Sequence, residues 1–443
     1  MATVGASVAA LVNTALGGSV LVMPFVFKSA GIIPSLALLL FVRFVTLASF
    51  DLLLFCGARC GKGSGMATKA SFHSIAQSIV QRRGHKSTRL VTATNAVMLL
   101  SSFGIVLAYQ AILADIVTSA VFESPNDERS VEQMITTLTG TNPNIKVKSR
   151  SAVIFFTQPF LLGLSFAEKM DSLKILNYVG AIAISCIVAA LCWRSFLSIS
   201  ETPILLALGD CATYVSKITA PCVSMMPSDV LGVFSSMNVV AAAFTCHMNI
   251  FSIHSELHNP SKERFRTVCS HAMNIVFAVY AASGVTGYAL FGAGTLGNVL
   301  SNFDSGDVMI SLCRFLIVVM SISSVPGVVF PCVKALDAQM LPGKHRKVKV
   351  AFVVLSSMLV ALIVEDVSTV FVVVGGTTGS LLSFVLPGYF YLALSDFASP
   401  SDVEGAPSAR QSAHPRRSQA RAIFCFGCAI LIISNGLFVW ERL

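Results

Sequence analysis

Charged side chains are scarce in this sequence. Asp, Glu, Lys and Arg together make up 12% of the 443 residues, whereas 54% of the residues are hydrophobic. Soluble globular domains usually carry about 25% charged and 45–50% apolar residues. Because so few charges cannot cover a water-facing surface, the composition excludes an ordinary soluble enzyme or soluble binding module.

Signatures of nucleotide, metal and nucleic-acid binding are also missing. No G-x-x-x-x-G-K-[ST] phosphate loop occurs, so ATP-driven chemistry is not predicted. The 12 cysteines are scattered, and Cys425-x-x-Cys428 has no histidine nearby, so we expect no metal site and no cofactor. The net charge of +9 lies in short loops between apolar runs, which is typical of membrane topology rather than nucleic-acid binding. The sequence identifies no protein partner.

Long apolar runs dominate the chain. Several approach the roughly 20 residues that cross the hydrocarbon layer of a bilayer. Inside that layer every backbone polar group needs an internal partner, so these runs must be helices. The sequence therefore predicts an all-α integral membrane protein with eleven transmembrane helices. The predicted spans are 4–27, 32–56, 90–122, 151–167, 175–193, 228–256, 267–292, 308–333, 348–364, 368–394 and 422–440.

Basic residues in the loops predict the orientation. With the N-terminus in the cytoplasm, 21 of the 31 Lys and Arg fall in cytoplasmic loops and eight fall on the opposite side. Such an excess marks the cytoplasmic side. We therefore expect a multi-pass protein of the plasma membrane or of a vacuolar or lysosomal membrane, with a cytoplasmic N-terminus. Arg43 and Arg314 lie within spans, where a structural role is favoured over substrate binding.

Two loops have features of their own. Apolar residues recur at helical spacing in 70–83, which predicts a short amphipathic helix on the cytoplasmic membrane face. The external loop 194–227 contains Cys211 and Cys222, which either form a disulfide or remain two free thiols.

The first span contains a pair of glycines at its centre. Each glycine costs a helix interior up to about 1 kcal/mol relative to alanine. A break at Gly17–Gly18 would expose backbone N–H groups at the start of a second half-helix, where they attract a carboxylate. Discontinuous spans of this kind mark many transporters. Close helix packing through small residues is the alternative.

The string N-T-x-x-G-G-S-V-L-V-M-P-F-V-F-K-S-A-G over 13–31 resembles the first-span signature of the amino acid/auxin permease (AAAP) family. That family includes the system A/N-type amino-acid transporters. Further matches occur in the family's order and cover nearly the whole chain. They fall at 104–115, 244–261, 287–292, 326–331, 374–377 and 386–387.

The resemblance implies an inverted repeat of five plus five helices, as in the leucine-transporter-like (APC) fold, with spans 1 and 6 broken near the midplane. The eleventh helix is then an addition. The implied organisation is a first repeat over 1–193, an external loop over 194–227, a second repeat over 228–394, a cytoplasmic loop over 395–421 and the last helix over 422–443.

Substrate-binding residues are also implied by the resemblance. The family's substrate-contacting segment of the first span matches four residues, namely Thr14, Gly17, Gly18 and Ser19. Two aromatic residues, Tyr109 and Phe244, would close the pocket, with ordinary packing as the alternative.

Ion coupling is implied at a second set of residues. Asn13 matches a position linked to the coupling ion, and hydroxyls of the eighth span would complete a Na⁺ site. The candidates there are Ser321, Ser323 and Ser324, although relatives often have Thr. His247 is the alternative coupling residue, because imidazole changes charge near physiological pH. A histidine that a neighbouring helix satisfies by hydrogen bonding is the other interpretation.

These observations predict a secondary active transporter that moves amino acids by alternating access, as a symporter driven by a Na⁺ or H⁺ gradient. The alternative is an amino-acid-sensing membrane receptor (a transceptor) with little transport. An intramembrane enzyme is a third hypothesis, because 163–167 loosely resembles a nucleophile turn. No His or Asp is placed to activate Ser165, so no enzymatic activity is predicted. We expect an amino-acid substrate and the lipid bilayer as the partners.

Overall fold

Helices make up nearly all of the structure, a computed structural model that describes residues 3–61, 70–83, 88–122, 145–166, 174–201, 205–207, 222–227, 229–304, 306–339, 345–364, 367–395, 413–434 and 436. The first half contains α1 Val4–Leu16, α2 Met23–Ala30, α3 Ile32–Gly61, α4 Phe72–Arg82, α5 Arg89–Phe122, α6 Ile145–Ser165 and α7 Lys174–Glu201. The second half contains α8 Val230–Ala243, α9 Ile250–Glu256, α10 Lys262–Phe291, α11 Val308–Gln339, α12 Arg346–Ala361, α13 Val367–Val374, α14 Leu386–Ser395 and α15 Ala413–Ala429. Between the halves, β1 Leu205–Ala207 and β2 Cys222–Ser224 pair in parallel.

Within the described residues, eight helical stretches are long and apolar enough to cross a membrane. They are Val4–Leu21, Ile32–Cys60, Arg89–Ser119, Gly180–Ser198, Val230–Glu256, Lys262–Gly294, Val308–Val329 and Val367–Ser395. Three further predicted spans fall on α6, α12 and α15, but α12 has only 16 residues and the other two begin with several basic residues. The multi-pass helical fold is therefore established, and the count of eleven stays a prediction.

Two helices extend into segments for which the sequence predicts loops. The fifth predicted span ends at 193, yet α7 continues to Glu201. The predicted cytoplasmic loop covers 395–421, yet α15 begins at Ala413. Ala, Arg and Gln are good helix formers, and α15 packs along α14, so the polar start of α15 is helical without being apolar.

Two helices, α5 and α10, each contact several others. Helix α5 contacts α6, α11, α12 and α13, whereas α10 contacts α1, α2, α3 and α7. Because α10 touches both α1 and α2, it can hold the two halves of the first span in a fixed relation.

The short helix α4 has the amphipathic character that its sequence predicts. Ser71 caps it by accepting from the Ser74 N–H at 3.1 Å. Its apolar side is buried by protein: the Phe72 ring lies 6.0 Å from Phe251 and 6.1 Å from Phe390, measured between centroids. The expected contact with the membrane face is thus replaced by a contact with α9 and α14.

The β2 strand and the residues after it lie against two glycine turns. Gly31 has a φ of 79° and Gly292 a φ of 50°, values that L-residues rarely adopt. A Cβ on Gly31 would lie 2.7 Å from the carbonyl carbon of Met226, and one on Gly292 would lie 2.5 Å from the Cys222 carbonyl oxygen. Cys222 is disulfide-bonded, while Cys211, its predicted partner, lies outside the described residues.

The two intramembrane arginines have local structural contacts. Arg314, only 2% exposed, donates to the carbonyls of Leu300 at 2.9 Å and Phe303 at 2.7 Å, so it ties the loop before α11 to that helix. Arg43 donates to the side-chain oxygen of Asn274.

Candidate functional site

The first span is interrupted at Gly17. Helix α1 ends at Leu16, a 3₁₀ turn covers Gly17–Leu21, and α2 begins at Met23 with a proline in its first turn. The Gly17 backbone has φ 29° and ψ −147°, which only glycine adopts readily. A Cβ there would also approach the Tyr109 hydroxyl to 3.0 Å. Both the backbone angles and the close neighbour therefore require glycine at this position.

A second interruption lies between α8 and α9. Helix α8 ends at Ala243, residues 244–246 are not helical, and a 3₁₀ turn covers His247–Asn249 before α9 begins at Ile250. Thr245 lies in this gap and donates to the Ala241 carbonyl at 2.7 Å, with the Ser383 hydroxyl 3.1 Å away.

Tyr280 of α10 connects the two interruptions. Its hydroxyl oxygen lies 2.6 Å from the Ala15 carbonyl and 3.0 Å from the Ala243 carbonyl, so its proton can be donated to either helix end. The Ser19 hydroxyl is 2.7 Å from the same oxygen. Sequence reasoning missed this residue. The only available signal was a polar aromatic in the middle of an apolar span.

Other hydroxyls satisfy backbone groups that the first break releases. Ser19 donates to the Leu16 carbonyl at 2.7 Å, and Ser283 donates to the Val20 carbonyl at 2.9 Å. A buried backbone N–H or carbonyl group without a hydrogen-bond partner costs roughly several kcal/mol of stability. The broken helix can therefore persist because α10 supplies the missing partners.

A cavity adjoins both interruptions. It has about 560 Å³ of empty space, including the part that opens to solvent. Its walls come from the first span, α5, the end of α8 and α13. The lining residues are Thr14, Ala15, Gly17, Gly18, Ser19, Ser101, Gly104, Ile105, Ala108, Tyr109, Ile112, Ala242, Thr245, Val370, Phe371 and Val374. No charged side chain occurs among these lining residues.

Five of the six predicted substrate-binding residues line this cavity, namely Thr14, Gly17, Gly18, Ser19 and Tyr109. The sixth, Phe244, is fully buried and packs edge-on against Tyr280 at 5.5 Å between ring centroids. It therefore supports the tyrosine that joins the breaks. Its predicted role as a pocket wall does not fit this placement.

The walls from α13 and from the α5 face carrying Ser101 were not predicted. In the sequence, Val370, Phe371 and Val374 cannot be distinguished from ordinary buried apolar residues. Only the packing of α13 against α5 and α8 reveals their position.

The predicted ion-coupling residues lie outside the cavity wall. The side chain of Asn13 points towards Gly180 of α7. A Cβ on Gly180 would lie 3.0 Å from the Asn13 side-chain oxygen and 3.2 Å from Met320 of α11. The adjacent Ser321 is fully buried and its hydroxyl has no hydrogen-bond partner among the described residues. Ser323 donates to the Met320 carbonyl of its own helix at 2.8 Å.

The Ser324 side chain, unlike that of Ser323, reaches another helix, where it interacts with the Tyr109 hydroxyl of α5. The predicted set therefore divides into two groups. Asn13 lies where α1 contacts α7, near Met320 of α11, whereas Ser324 belongs to the cavity side.

His247 lies in the second interruption and is fully buried. Its ring is 4.6 Å from Phe50 and 6.5 Å from Phe384, between centroids. Neither ring nitrogen has a hydrogen-bond partner within the described parts of the chain. The expectation that a neighbouring helix satisfies this histidine is therefore wrong for the conformation described, because aromatic rings take the adjacent places.

Comparisons with known proteins give a family, relatives over nearly the whole chain and a solved structure of similar fold. The family described as transmembrane amino acid transporter protein matches residues 1–434. Vacuolar amino acid transporter 5 of Schizosaccharomyces pombe is 25% identical over 437 residues, covering 96% of this chain and 92% of that protein. Vacuolar amino acid transporter 2 of Saccharomyces cerevisiae is 23% identical over 443 residues, covering 96% and 81%. The crystal structure of MhsT in complex with L-phenylalanine has a TM-score of 0.59 at 12% identity, and the match covers 96% of this chain and 98% of that one.

Proposed function

Because this chain belongs to the transmembrane amino acid transporter family, we propose that it is a secondary active transporter that moves amino acids across a membrane by alternating access. The similar yeast proteins are named as vacuolar amino acid transporters, which favours the vacuolar membrane. The loop charges favour a cytoplasmic N-terminus. The five-plus-five inverted repeat belongs to the same proposal.

The observation that carries the proposal is the meeting of two interrupted helices beside one cavity. The carboxylate of an amino acid would bind at the Gly17–Leu21 turn, where the start of a half-helix presents N–H groups and a favourable dipole. Its ammonium group would bind carbonyl and hydroxyl oxygens of the α1 and α8 ends. Tyr109 stands against Gly17 and would cover the bound substrate.

Coupling to an ion gradient has two candidate sites. Asn13, which lies beside α7, and the hydroxyl of Ser321 on α11, which has no partner among the described residues, would offer oxygens to Na⁺. His247 offers unpartnered nitrogens to a proton in the second interruption. The two sites are separate, so the ion that drives transport can be assigned by substitution.

The test uses the full chain in proteoliposomes with each of the 20 amino acids, radiolabelled, under a sodium gradient and under a proton gradient. We expect uptake of a subset above the concentration outside. Loss of sodium stimulation in Asn13→Ala assigns the first site, and loss of proton stimulation in His247→Gln assigns the second. Absence of uptake for every amino acid under both gradients contradicts the proposed function.

A further inference from the structure

Ser101 is the only hydroxyl of the cavity lining that has no hydrogen-bond partner in the described structure. The other lining hydroxyls are engaged. Thr14 donates to the Ala10 carbonyl, Thr245 to the Ala241 carbonyl, and Ser19 to the Leu16 carbonyl. Tyr109 interacts with Ser324.

Serines and threonines inside apolar helices usually bond back to a carbonyl three or four residues earlier. Thr94, on the same helix as Ser101, makes such a bond: its hydroxyl donates to the Leu90 carbonyl at 2.8 Å. Ser101 makes no such bond although it is fully buried. A buried hydroxyl without a partner is destabilising, and this penalty is removed when a ligand supplies the partner.

The position of Ser101 indicates which ligand group would meet it. The α5 face that lines the cavity runs through Ser101, Gly104, Ile105, Ala108 and Tyr109, at helical spacing. Ser101 is about 12 Å along the helix axis from Tyr109, which stands against Gly17. A substrate whose backbone groups bind at Gly17 would therefore reach Ser101 only with the end of a long side chain.

The surface between these two ends selects against charge. It consists of small or apolar residues, with Ile105, Val370 and Phe371 contributing the largest side chains. No lining residue is acidic or basic, so a charged side chain would be buried without a counterion.

We infer that Ser101 recognises the tip of the substrate side chain, and that the substrates are neutral amino acids with a long side chain ending in a hydroxyl or amide. This inference rests on the proposed transport function. A site that hydrogen-bonds a polar tip disfavours the analogue without it, because the protein group is then left unpaired.

The experiment compares two pairs of similar size, glutamine with methionine and tyrosine with phenylalanine. Initial uptake into proteoliposomes gives kcat/KM for each, with sodium and proton gradients both imposed. We expect the polar member of each pair to be preferred about three- to tenfold. In Ser101→Ala the preference falls to near one, chiefly through slower uptake of glutamine and tyrosine.

Two variants serve as controls for the serine. Ser102→Ala removes the neighbouring buried hydroxyl, which contacts the Met248 sulfur and does not line the cavity, and it keeps the wild-type preference. Ser101→Thr keeps a hydroxyl and restores selectivity, which separates recognition from a general packing defect. Thermal unfolding of the detergent-solubilised variants shows which of them fold.

Three results overturn the inference and leave amino-acid transport intact: equal use of both members of each pair by the wild type, an unchanged preference in Ser101→Ala, or a preference for charged amino acids. If Ser101→Ala does not fold, the inference is tested by the kcat/KM ratios of the wild type and of Ser101→Thr for the two substrate pairs. Absence of transport for all amino acids overturns the proposed function itself.

Discussion

The hydroxyl of Tyr280 lies 2.7 Å from that of Ser19, and through this contact a continuous helix touches the centre of a broken one. The same tyrosine oxygen is near the carbonyl ends of α1 and α8. One side chain thus reaches the carbonyl ends of both interrupted helices.

Replacing this tyrosine is the most direct test of that arrangement. Tyr280→Phe keeps the ring that packs on Phe244 and removes the hydroxyl. The Ala243 carbonyl then loses this partner, and the Ala15 carbonyl keeps the longer contact from the Ser19 hydroxyl at 3.4 Å, so we expect the free energy of unfolding to fall by about 1–3 kcal/mol. Thermal unfolding and amino-acid uptake measure the effect. Tyr288→Phe is the control for uptake, since that buried hydroxyl accepts from the Ser224 N–H at 2.9 Å, away from both interruptions. Equal melting temperatures for Tyr280→Phe and the wild type would contradict the assigned role.

Gly17 offers a test of the break itself. Gly17→Ala places a methyl group in an unfavourable backbone conformation and 3.0 Å from the Tyr109 hydroxyl. We expect amino-acid binding to weaken at least about tenfold, corresponding to strain of about 1–3 kcal/mol. Binding is measured by ligand-induced thermal stabilisation.

The matched control is Gly5→Ala on α1, where a Cβ meets nothing within 4 Å. In the double variant Gly17→Ala/Tyr109→Phe the steric conflict is relieved but the backbone strain remains, so only partial recovery is expected. Full activity of Gly17→Ala alone would show that the break is not needed for binding.

Ser321 tests the sodium site independently of Asn13. Ser321→Ala removes a buried hydroxyl that has no partner in the described residues. If that oxygen binds Na⁺, we expect the sodium concentration for half-maximal uptake to rise about tenfold while the fold is retained. Ser185→Ala on α7 is the control, because its hydroxyl donates to the Ala181 carbonyl of its own helix at 2.9 Å. An unchanged sodium dependence in Ser321→Ala removes this residue from the ion site.

The disulfide at Cys222 is expected to stabilise the protein. Cys222 adjoins the Gly292 turn, so releasing it loosens the segment that lies against the end of α10. Loss of a native disulfide typically costs about 2–4 kcal/mol. We expect Cys222→Ser, and the wild type treated with dithiothreitol, to melt at a lower temperature. Cys425→Ser, which changes an exposed free thiol, is expected to melt as the wild type does. A melting temperature of Cys222→Ser equal to that of the wild type contradicts this expectation.

The sequence predicted the features that depend on the local chain. Apolar run length predicted membrane helices, and the glycine pair at 17 and 18 predicted the first break, because glycine in a helix interior has a recognisable cost. The face of α4 was evident from its periodicity, although periodicity alone could not distinguish a protein neighbour from lipid.

The features that depend on distant segments were not predictable in this way. Tyr280 matters because α10 passes both breaks, and Phe371 matters because α13 lies beside α5. The individual sequence positions look like ordinary residues of apolar spans. His247 was identified by its side chain. The aromatic rings around it come from Phe50 of α3 and from Phe384, just before α14, and a single sequence does not show that these segments pack together.

The tenth predicted span contains two consecutive π-helical turns, Gly375–Gly379 and Leu381–Val385. Each such turn holds more residues than an α-helical turn, so it rotates the helix on its N-terminal side relative to the helix on its C-terminal side. Helix α13 thereby presents Phe371 to the cavity while α14 presents a different face to α3. Deleting a single residue from this stretch would turn the two ends by about 100° against each other. The aromatic wall would then rotate away from its cavity without any change in composition, so the spacing of this segment constrains the site as tightly as the identity of its side chains.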